Sequence, residues 1–330
     1  MMVQRDGLFD CIKGGLILLV VLGHSIVYSF PDEYLTRWDF KLIYSFHMPF
    51  FILVSGYLVE ASKKERGWKW LWRRSSRLML PYCTWSAIAK AFSVAFMQFF
   101  SKSYEGLADV YWFLIVLFLC DITYVLIGFV RKRNYGFVLY SVALFIGICI
   151  LGGWIDSFWH IFKLYVLYMP FYFFGVIFFR YKEKVERVLL VGAPLFFLMY
   201  IIMLGGFDVG EHRALYTFVH LWYPGVTYGG LVAIATLYNR IVLFFGVLVW
   251  YLVFKKVYIL ADRRDAERLS FLGKRTMPIY LMHSFFFVAC GFSGFVNVIV
   301  GACLGIGGAL LIYYIVKRYR GIRILLFGEF

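Results

Sequence analysis

Long apolar stretches with few charges recur along this chain, and they constrain its fold more than any other feature. Many of them approach the ~20 residues that a helix needs to cross a ~30 Å hydrocarbon layer. The stretches are residues 14–30, 42–60, 78–100, 110–130, 135–152, 161–179, 188–205, 222–238, 241–254, 277–293 and 296–316. They are continuous rather than alternating, which favours helices over transmembrane strands. The sequence therefore predicts an all-α polytopic membrane protein.

The composition supports this prediction, because 62% of the 330 residues are hydrophobic and only 16% are charged. Globular proteins average about 45–50% apolar and about 25% charged residues, so a soluble core of this size could not bury the excess. This excludes a nucleic-acid-binding protein and a disulfide-rich secreted protein. Since no long polar segment interrupts the stretches, we expect one transmembrane domain over residues 1–330, without an appended soluble domain.

The formal net charge of +15 is distributed in a pattern that predicts the topology. Five connections carry clusters of Lys and Arg, whereas the loops between them are short and acidic on balance. Because basic connections stay on the cytoplasmic side, we expect a multi-pass protein of the cell membrane with both termini in the cytoplasm. Topology and the anionic headgroups of the lipid bilayer then account for the cations, and we expect no nucleic-acid partner.

Two termini on one side require an even number of crossings, which conflicts with eleven stretches. The conflict lies in residues 222–254, where two stretches are separated only by Asn239 and Arg240. One helix through both would be about 50 Å long at ~1.5 Å per residue, too long for the hydrocarbon layer. We therefore expect about ten crossings, with one of these segments re-entrant or in the interface, and eleven crossings stay open.

The first stretch contains the most informative polar residues, because polar groups at membrane depth must be compensated and are often functional. Lys13 and His24 are eleven positions apart, which places them on one helix face about 16 Å apart along the axis. Asp10 precedes Lys13 by three positions and can pair with it. The imidazole of His24 suits proton transfer. The alternatives are a lysine that extends to the headgroups and a histidine bonded to a neighbouring helix.

The second stretch adds a further imidazole and a proline. His47 lies two positions before Pro49, which we expect to bend the helix. Irregular backbone at membrane depth is tolerated where it is buried in protein or lines a cavity. Ser55 and Gly56 follow, and they either line the same site or allow close helix packing.

The next connection contains an arginine cluster. Arg73, Arg74 and Arg77 are three and four positions apart, so we expect their guanidinium groups to share one helix end. Guanidinium groups suit phosphate oxygens, although lipid headgroups would satisfy them equally well. Further candidates in later stretches are Trp112, Tyr280 and His283.

The ordered set of these motifs resembles the integral-membrane acyltransferase-3 family. In the first helix of that family a basic residue and a histidine are separated by ten positions, as Lys13 and His24 are here. Lys13 stands where many members carry arginine, which is similar to the fucose 4-O-acetylase-like branch of polysaccharide O-acetyltransferases. The similar elements follow the family's order from about residue 5 to residue 290: residues 10–14, 20–24, 46–56, 80–82, 112–114 and 273–283.

The resemblance implies transfer of an acyl group, usually acetyl, from cytoplasmic acyl-CoA to a hydroxyl of a surface glycan or its lipid-linked precursor. Acetyl-CoA would be a donor substrate, with no permanently bound cofactor and no metal. His24 or His47 would take the hydroxyl proton, and Asp10 with Lys13 would organise the cytoplasmic end of the passage. The candidates for binding acyl-CoA are Arg73, Arg74, Arg77, Ser55 and Trp112.

Two other functions stay open at this point. A transporter or flippase of glycans or small organic acids would also need polar residues and a bent helix at membrane depth, but no inverted repeat is evident. A membrane module that binds without catalysis is the other alternative. The sequence does not choose between direct transfer and an acyl-histidine relay, nor does it identify the acceptor, the acyl chain or a homo-oligomer.

Overall fold

The computed structural model describes residues 7–62, 68–97, 111–131, 156–208, 228–289 and 294–330. Within these ranges every regular element is a helix, which confirms the predicted all-α class. In chain order the helices are α1 (Gly7–Ser29), α2 (Trp38–Tyr44), α3 (His47–Ala61), α4 (Trp68–Met97), α5 (Trp112–Arg131), α6 (Asp156–Arg180), α7 (Lys182–Leu204), α8 (Tyr228–Leu260), α9 (Arg263–Gly273), α10 (Thr276–Met282), a 3₁₀ helix (His283–Ala289), α11 (Gly294–Val316) and α12 (Arg320–Phe327).

Six helical segments in this part of the chain are long and apolar enough to cross a membrane. They are α1, α2 together with α3, residues 161–180 of α6, α7, residues 234–260 of α8, and α11. This agrees with a polytopic membrane protein. The total of about ten crossings and the cytoplasmic side of both termini stay predictions, and the stretch at 135–152 lies outside the described residues.

The expected interruption near residue 240 is wrong, because α8 runs unbroken through Asn239 and Arg240. Its 33 residues make it about 50 Å long, so it extends beyond a ~30 Å hydrocarbon layer unless it is strongly tilted. The Asn239 side chain donates a 3.0 Å hydrogen bond to the backbone carbonyl of Asp208. Asn239 therefore contacts the chain that follows α7, and α8 stays continuous.

The second apolar stretch is broken earlier than Pro49. Helix α2 ends at Tyr44 and α3 begins at His47, so Pro49 lies in the first turn of α3. A proline is tolerated there because the first amide groups of a helix have no intrahelical partner. The break leaves Ser45 between the helices, and its hydroxyl hydrogen-bonds to the hydroxyl of Tyr200 in α7 at 2.5 Å.

The chain divides into two compact units. The first contains Met1–Ala61 and Phe173–Leu310, and the second contains Ser62–Tyr172 and Leu311–Phe330. The candidate residues on α1, on α3 and around α10 therefore belong to the first unit. Trp112 and the arginines of α4 belong to the second unit.

In the first unit, α9 packs directly on the backbone of α1. A Cβ atom on Gly14 would overlap the backbone carbonyl of Leu269, and one on Gly273 would overlap the carbonyl of Asp10. Small residues at a helix contact let two backbones approach closely. On the α3 side of α1, the rings of Phe9 and Tyr57 stack with their centroids 3.8 Å apart.

In the second unit, the C-terminal helix α12 packs against α4. The indole of Trp85 donates a 2.8 Å hydrogen bond to the carbonyl of Leu326. Gly328 ends α12 in the left-handed conformation, with φ of 63°, and a Cβ atom there would overlap the backbone of Arg77. Glycine at this position satisfies both the backbone conformation and the close approach.

Candidate active site

A buried ion pair occupies the N-terminal part of α1. Lys13 Nζ lies 2.7 Å from Asp10 Oδ1, and the two side chains are 20% and 9% exposed. The predicted pairing of these residues is therefore confirmed. Because α9 packs on the carbonyl of Asp10, removal of either charge would leave the other in a poorly solvated position.

His24 lies in the same helix as this pair. Helix α1 is continuous from Lys13 to His24, as predicted. Helical geometry then places the two residues on one face of α1, about 16 Å apart along its axis. His24 is half-buried, and its ring lies against that of His283, with centroids 5.2 Å apart and planes inclined by 51°. The structure thus brings together two imidazoles from separate helical segments, that of His24 in α1 and that of His283 in the 3₁₀ helix.

His283 is held in one orientation by backbone carbonyls. Its Nδ1 lies 3.0 Å from the carbonyl oxygen of Ile279 and 2.8 Å from that of Tyr280. A carbonyl oxygen can only accept, so Nδ1 carries the proton in the neutral ring and Nε2 carries the lone pair. The residue is fully buried, and among the described residues Nε2 has no hydrogen-bond partner. A buried polar atom of this kind needs an explanation.

The chain places His283 where its helix changes type. Helix α10 ends at Met282, and His283 begins the 3₁₀ helix. A 3₁₀ helix turns more tightly than an α-helix, so the carbonyls of the preceding turn lie within reach of the imidazole. Tyr280 is buried in the same turn, with its ring centroid 6.4 Å from that of His283.

His47 is oriented in the same way at the start of α3. Its Nδ1 lies 2.7 Å from the carbonyl oxygen of Ile43, across the break between α2 and α3. The ring is buried, and Tyr44 packs on it edge to face at 4.7 Å. Nδ1 is therefore the protonated nitrogen of neutral His47 as well.

Ser55 uses its hydroxyl within its own helix. The hydroxyl donates a 3.0 Å hydrogen bond to the carbonyl of Phe51, one turn earlier. Leu53 lies two positions before Ser55 on α3, and a Cβ atom on Gly175 of α6 would overlap the backbone carbonyl of Leu53. This part of α3 therefore makes close helix contacts, which agrees with the packing interpretation of Ser55 and Gly56.

The three arginines of α4 do not form the single group that their spacing suggested. Arg73 and Arg77 are exposed, whereas Arg74 Nε lies 2.8 Å from Asp121 Oδ2 in α5. Asp121 is fully buried, and its Oδ1 accepts a 2.7 Å hydrogen bond from the hydroxyl of Tyr172. The guanidinium of Arg74 is therefore engaged within the protein, in contrast to its two neighbours.

Asp121 was missed by the sequence argument, although a signal was present. It is a lone carboxylate inside an apolar stretch, and such residues normally have a specific partner.

Trp112, the first residue of α5, lies in the same unit as Asp121 and stacks on Tyr168 with a centroid distance of 5.2 Å. The donor-binding candidates are thus divided between the first unit, with Ser55, and the second unit.

Buried charges and imidazoles in a helical membrane protein mark a candidate functional site at membrane depth. A family model described as an acyltransferase domain matches residues 7–318. This chain therefore belongs to acyltransferase family 3, which confirms the family suggested by its motifs.

Two relatives share part of this chain. The nodulation protein NolL of Sinorhizobium fredii is 36% identical over 122 residues, which cover 34% of this chain and 33% of the relative. The nodulation protein NolL of Mesorhizobium japonicum is 30% identical over 142 residues, which cover 40% of this chain and 37% of the relative. The chain thus spans between a third and two fifths of these relatives. No solved structure matches it.

Proposed function

We propose that this protein is an O-acyltransferase of the cell membrane that moves an acyl group, in the first instance acetyl, from cytoplasmic acyl-CoA to a hydroxyl of a glycan or lipid-linked glycan. One observation carries the proposal in a chain of this family. The half-buried imidazole of His24 lies beside the oriented imidazole of His283, on the same helix as the Asp10–Lys13 ion pair.

His24 serves as the general base in this reaction. An alcohol is a poor nucleophile at neutral pH, so its proton must leave as its oxygen attacks the thioester carbonyl. The hydroxyl proton passes to the unprotonated nitrogen of His24, and a new C–O bond forms. The C–S bond then breaks, and the departing thiolate takes the proton from the imidazolium. His24 is the best placed of the three histidines because it is the one that is only half-buried.

The other polar groups have supporting roles. Asp10 holds the ammonium of Lys13 at one position near the start of α1, which provides a polar border for the passage of the donor. The exposed guanidinium groups of Arg73 and Arg77 bind phosphate oxygens of the donor. Arg74 instead fixes α4 to α5 through Asp121.

Radiolabelled acetyl-CoA and membranes from a strain that lacks the native gene test this proposal. Membranes with the wild-type protein transfer label to glycan or lipid-linked glycan as an ester that mild alkali releases. His24→Ala lowers the rate by about 10²–10⁴-fold, the usual contribution of a general base. Leu22→Ala, a truncation on the same helix, keeps most of the rate. Label transfer by His24→Ala at the wild-type rate would refute the role of His24, and no transfer by the wild type would refute the function.

A further inference from the structure

We infer that His283 is a positioning residue that fixes the tautomer and the direction of the His24 ring. The inference rests on the proposed function, in which His24 is the general base. His283 is then the group that orients this base. His283 itself touches neither the donor nor the acceptor. It accepts a hydrogen bond at Nε2 from one N–H of His24, and the other nitrogen of His24 is thereby left unprotonated.

The first support is the fixed tautomer of His283. Two backbone carbonyls, those of Ile279 and Tyr280, accept from its Nδ1. Its Nε2 is therefore an acceptor in the neutral ring. An imidazole held in this way can do for a second imidazole what a carboxylate or carbonyl usually does, which is to select the nitrogen that carries the proton.

The second support is the position of Nε2. It is buried and has no hydrogen-bond partner in the described part of the chain, and the ring of His24 lies against His283 at a centroid distance of 5.2 Å. Two imidazoles that share an N–H···N bond of about 2.9 Å have centroids about 5 Å apart, since each nitrogen lies about 1 Å from its centroid. The inference therefore requires only that the His24 ring turn about its Cβ–Cγ bond until one of its N–H groups points at Nε2 of His283.

The third support is the difference in exposure between the two rings. His283 is fully buried, whereas His24 is half-buried, so His24 is the ring that a substrate hydroxyl can reach. With one nitrogen directed at His283 as a donor, the other nitrogen keeps its lone pair for the hydroxyl proton. After His24 has taken the hydroxyl proton, the same hydrogen bond stabilises the imidazolium until the thiolate removes that proton.

The packing of α11 keeps His283 in place. A Cβ atom on Gly305 would lie 3.2 Å from the backbone carbonyl of His283 and 3.3 Å from the side chain of Val21 in α1. Glycine at this position lets α11 lie close to both segments. The 3₁₀ helix is therefore held against α1 next to His24, which is the geometry that an orienting hydrogen bond requires.

Two substitutions separate orientation of His24 from a merely structural role. His283→Asn places an amide N–H near the position of Nδ1 and can keep the bonds to the carbonyls, but it has no acceptor near the position of Nε2. His283→Gln reaches that position with its carbonyl oxygen. We expect His283→Asn to lower kcat between about 10²- and 10⁴-fold, as a wrong tautomer does, with the KM values for donor and acceptor unchanged within about twofold. We expect His283→Gln to keep kcat within about tenfold.

Ser284→Ala is the matched control. Its hydroxyl is also buried without a hydrogen-bond partner in the described part of the chain, and it plays no part in the orientation of His24, so kcat should stay near the wild-type value. His283→Asn with activity equal to or above that of His283→Gln would overturn the inference, because only the Nδ1 bonds would then matter.

A spectroscopic measurement separates this inference from the proposed function. Solid-state ¹⁵N NMR of the histidine-labelled wild-type protein in bilayers should show a nitrogen–nitrogen correlation through the hydrogen bond between His24 and His283. The correlation should vanish in His283→Asn and persist in Ser284→Ala. Its absence from the wild type would overturn the inference even if acyl transfer is observed, and its presence would support it even if the donor is another thioester.

Discussion

The buried carboxylate of Asp121 provides a quantitative test of how the second unit is held together. Asp121→Leu removes the acceptor of two donors, Arg74 and the hydroxyl of Tyr172. Loss of one partner of a buried ion pair costs about 3–5 kcal/mol. The side chain of Arg74 is 31% exposed and can regain some solvation, so we expect about 3 kcal/mol, of which about 1 kcal/mol belongs to the tyrosine hydroxyl.

The double variant Arg74→Met/Asp121→Leu isolates the ion pair. It removes both charges, so neither is left unpaired, and apolar replacements of buried ion pairs are often nearly neutral. We expect the double variant to lose only about 1–2 kcal/mol. Arg74→Met alone leaves the buried carboxylate of Asp121 unpaired and should cost about 3–5 kcal/mol. The sum of the two single losses should therefore exceed the double loss by at least about 2 kcal/mol, the size of a strong coupling between neighbouring residues.

Equilibrium unfolding with sodium dodecyl sulfate in mixed micelles, followed by tryptophan fluorescence, measures these free energies. Additive losses in the double variant would show that Arg74 and Asp121 do not support each other, and the structural interpretation would be wrong.

The same proteins test donor binding. The double variant should keep the KM for acetyl-CoA within about twofold, whereas Arg73→Ala/Arg77→Ala should raise it about tenfold, which corresponds to about 1.4 kcal/mol. An equal rise in both would return a donor-binding role to Arg74.

Two further predictions concern α1. Asp10→Asn leaves the ammonium of Lys13 without its counter-ion, so we expect acyl transfer to fall at least about tenfold. The double variant Asp10→Asn/Lys13→Met should be more stable to detergent than Asp10→Asn, and equal stability of the two would contradict the pairing. Gly273→Ala forces its Cβ atom against the backbone of α1 and should cost about 1–3 kcal/mol of unfolding free energy. Gly307→Ala, whose Cβ atom would meet nothing within 4 Å, is the control, and equal losses in both would refute the role of the close contact.

Local rules predicted those parts of the site that depend on a single helix. The Asp10–Lys13 pair and the axial separation of Lys13 and His24 follow from helical geometry alone, and α1 is indeed continuous. The fully helical fold follows from the length and continuity of the apolar stretches. In each of these cases the spacing of residues along the chain already determines the answer.

Features that depend on contacts between distant segments could not be predicted in this way. Arg74 and Asp121 are 47 positions apart, and nothing in the spacing of the arginines indicates that one of the three turns towards α5. The sequence predicts a bend at Pro49, because a proline is a visible signal. The actual break lies before His47, and the contact of Ser45 with Tyr200 at that break leaves no such signal in the sequence. The length argument against a continuous α8 fails, because hydrocarbon thickness limits the part of a helix that lies in the membrane and not its total length.

The tautomers of the histidines are a further feature that no sequence pattern contains. They depend on which carbonyl oxygens lie within reach of each ring, and therefore on where a helix ends. His47 follows a break in the chain and His283 begins a 3₁₀ helix. Both are recognisable as polar residues in apolar stretches, but their orientation requires the backbone of the preceding turn.

The close contact between α1 and α9 at Gly14 and Gly273 also determines how α1 is rotated about its long axis. A helix turns as a rigid rod, so whatever sets its rotation at Gly14 sets the direction of every residue beyond it, including His24 ten positions and about 15 Å away. With no side chain between the two backbones, α1 has little freedom to roll about its long axis. A bulky residue at position 14 would thus misdirect the imidazole from a distance, and the loss of activity would reflect alignment and not lost chemistry.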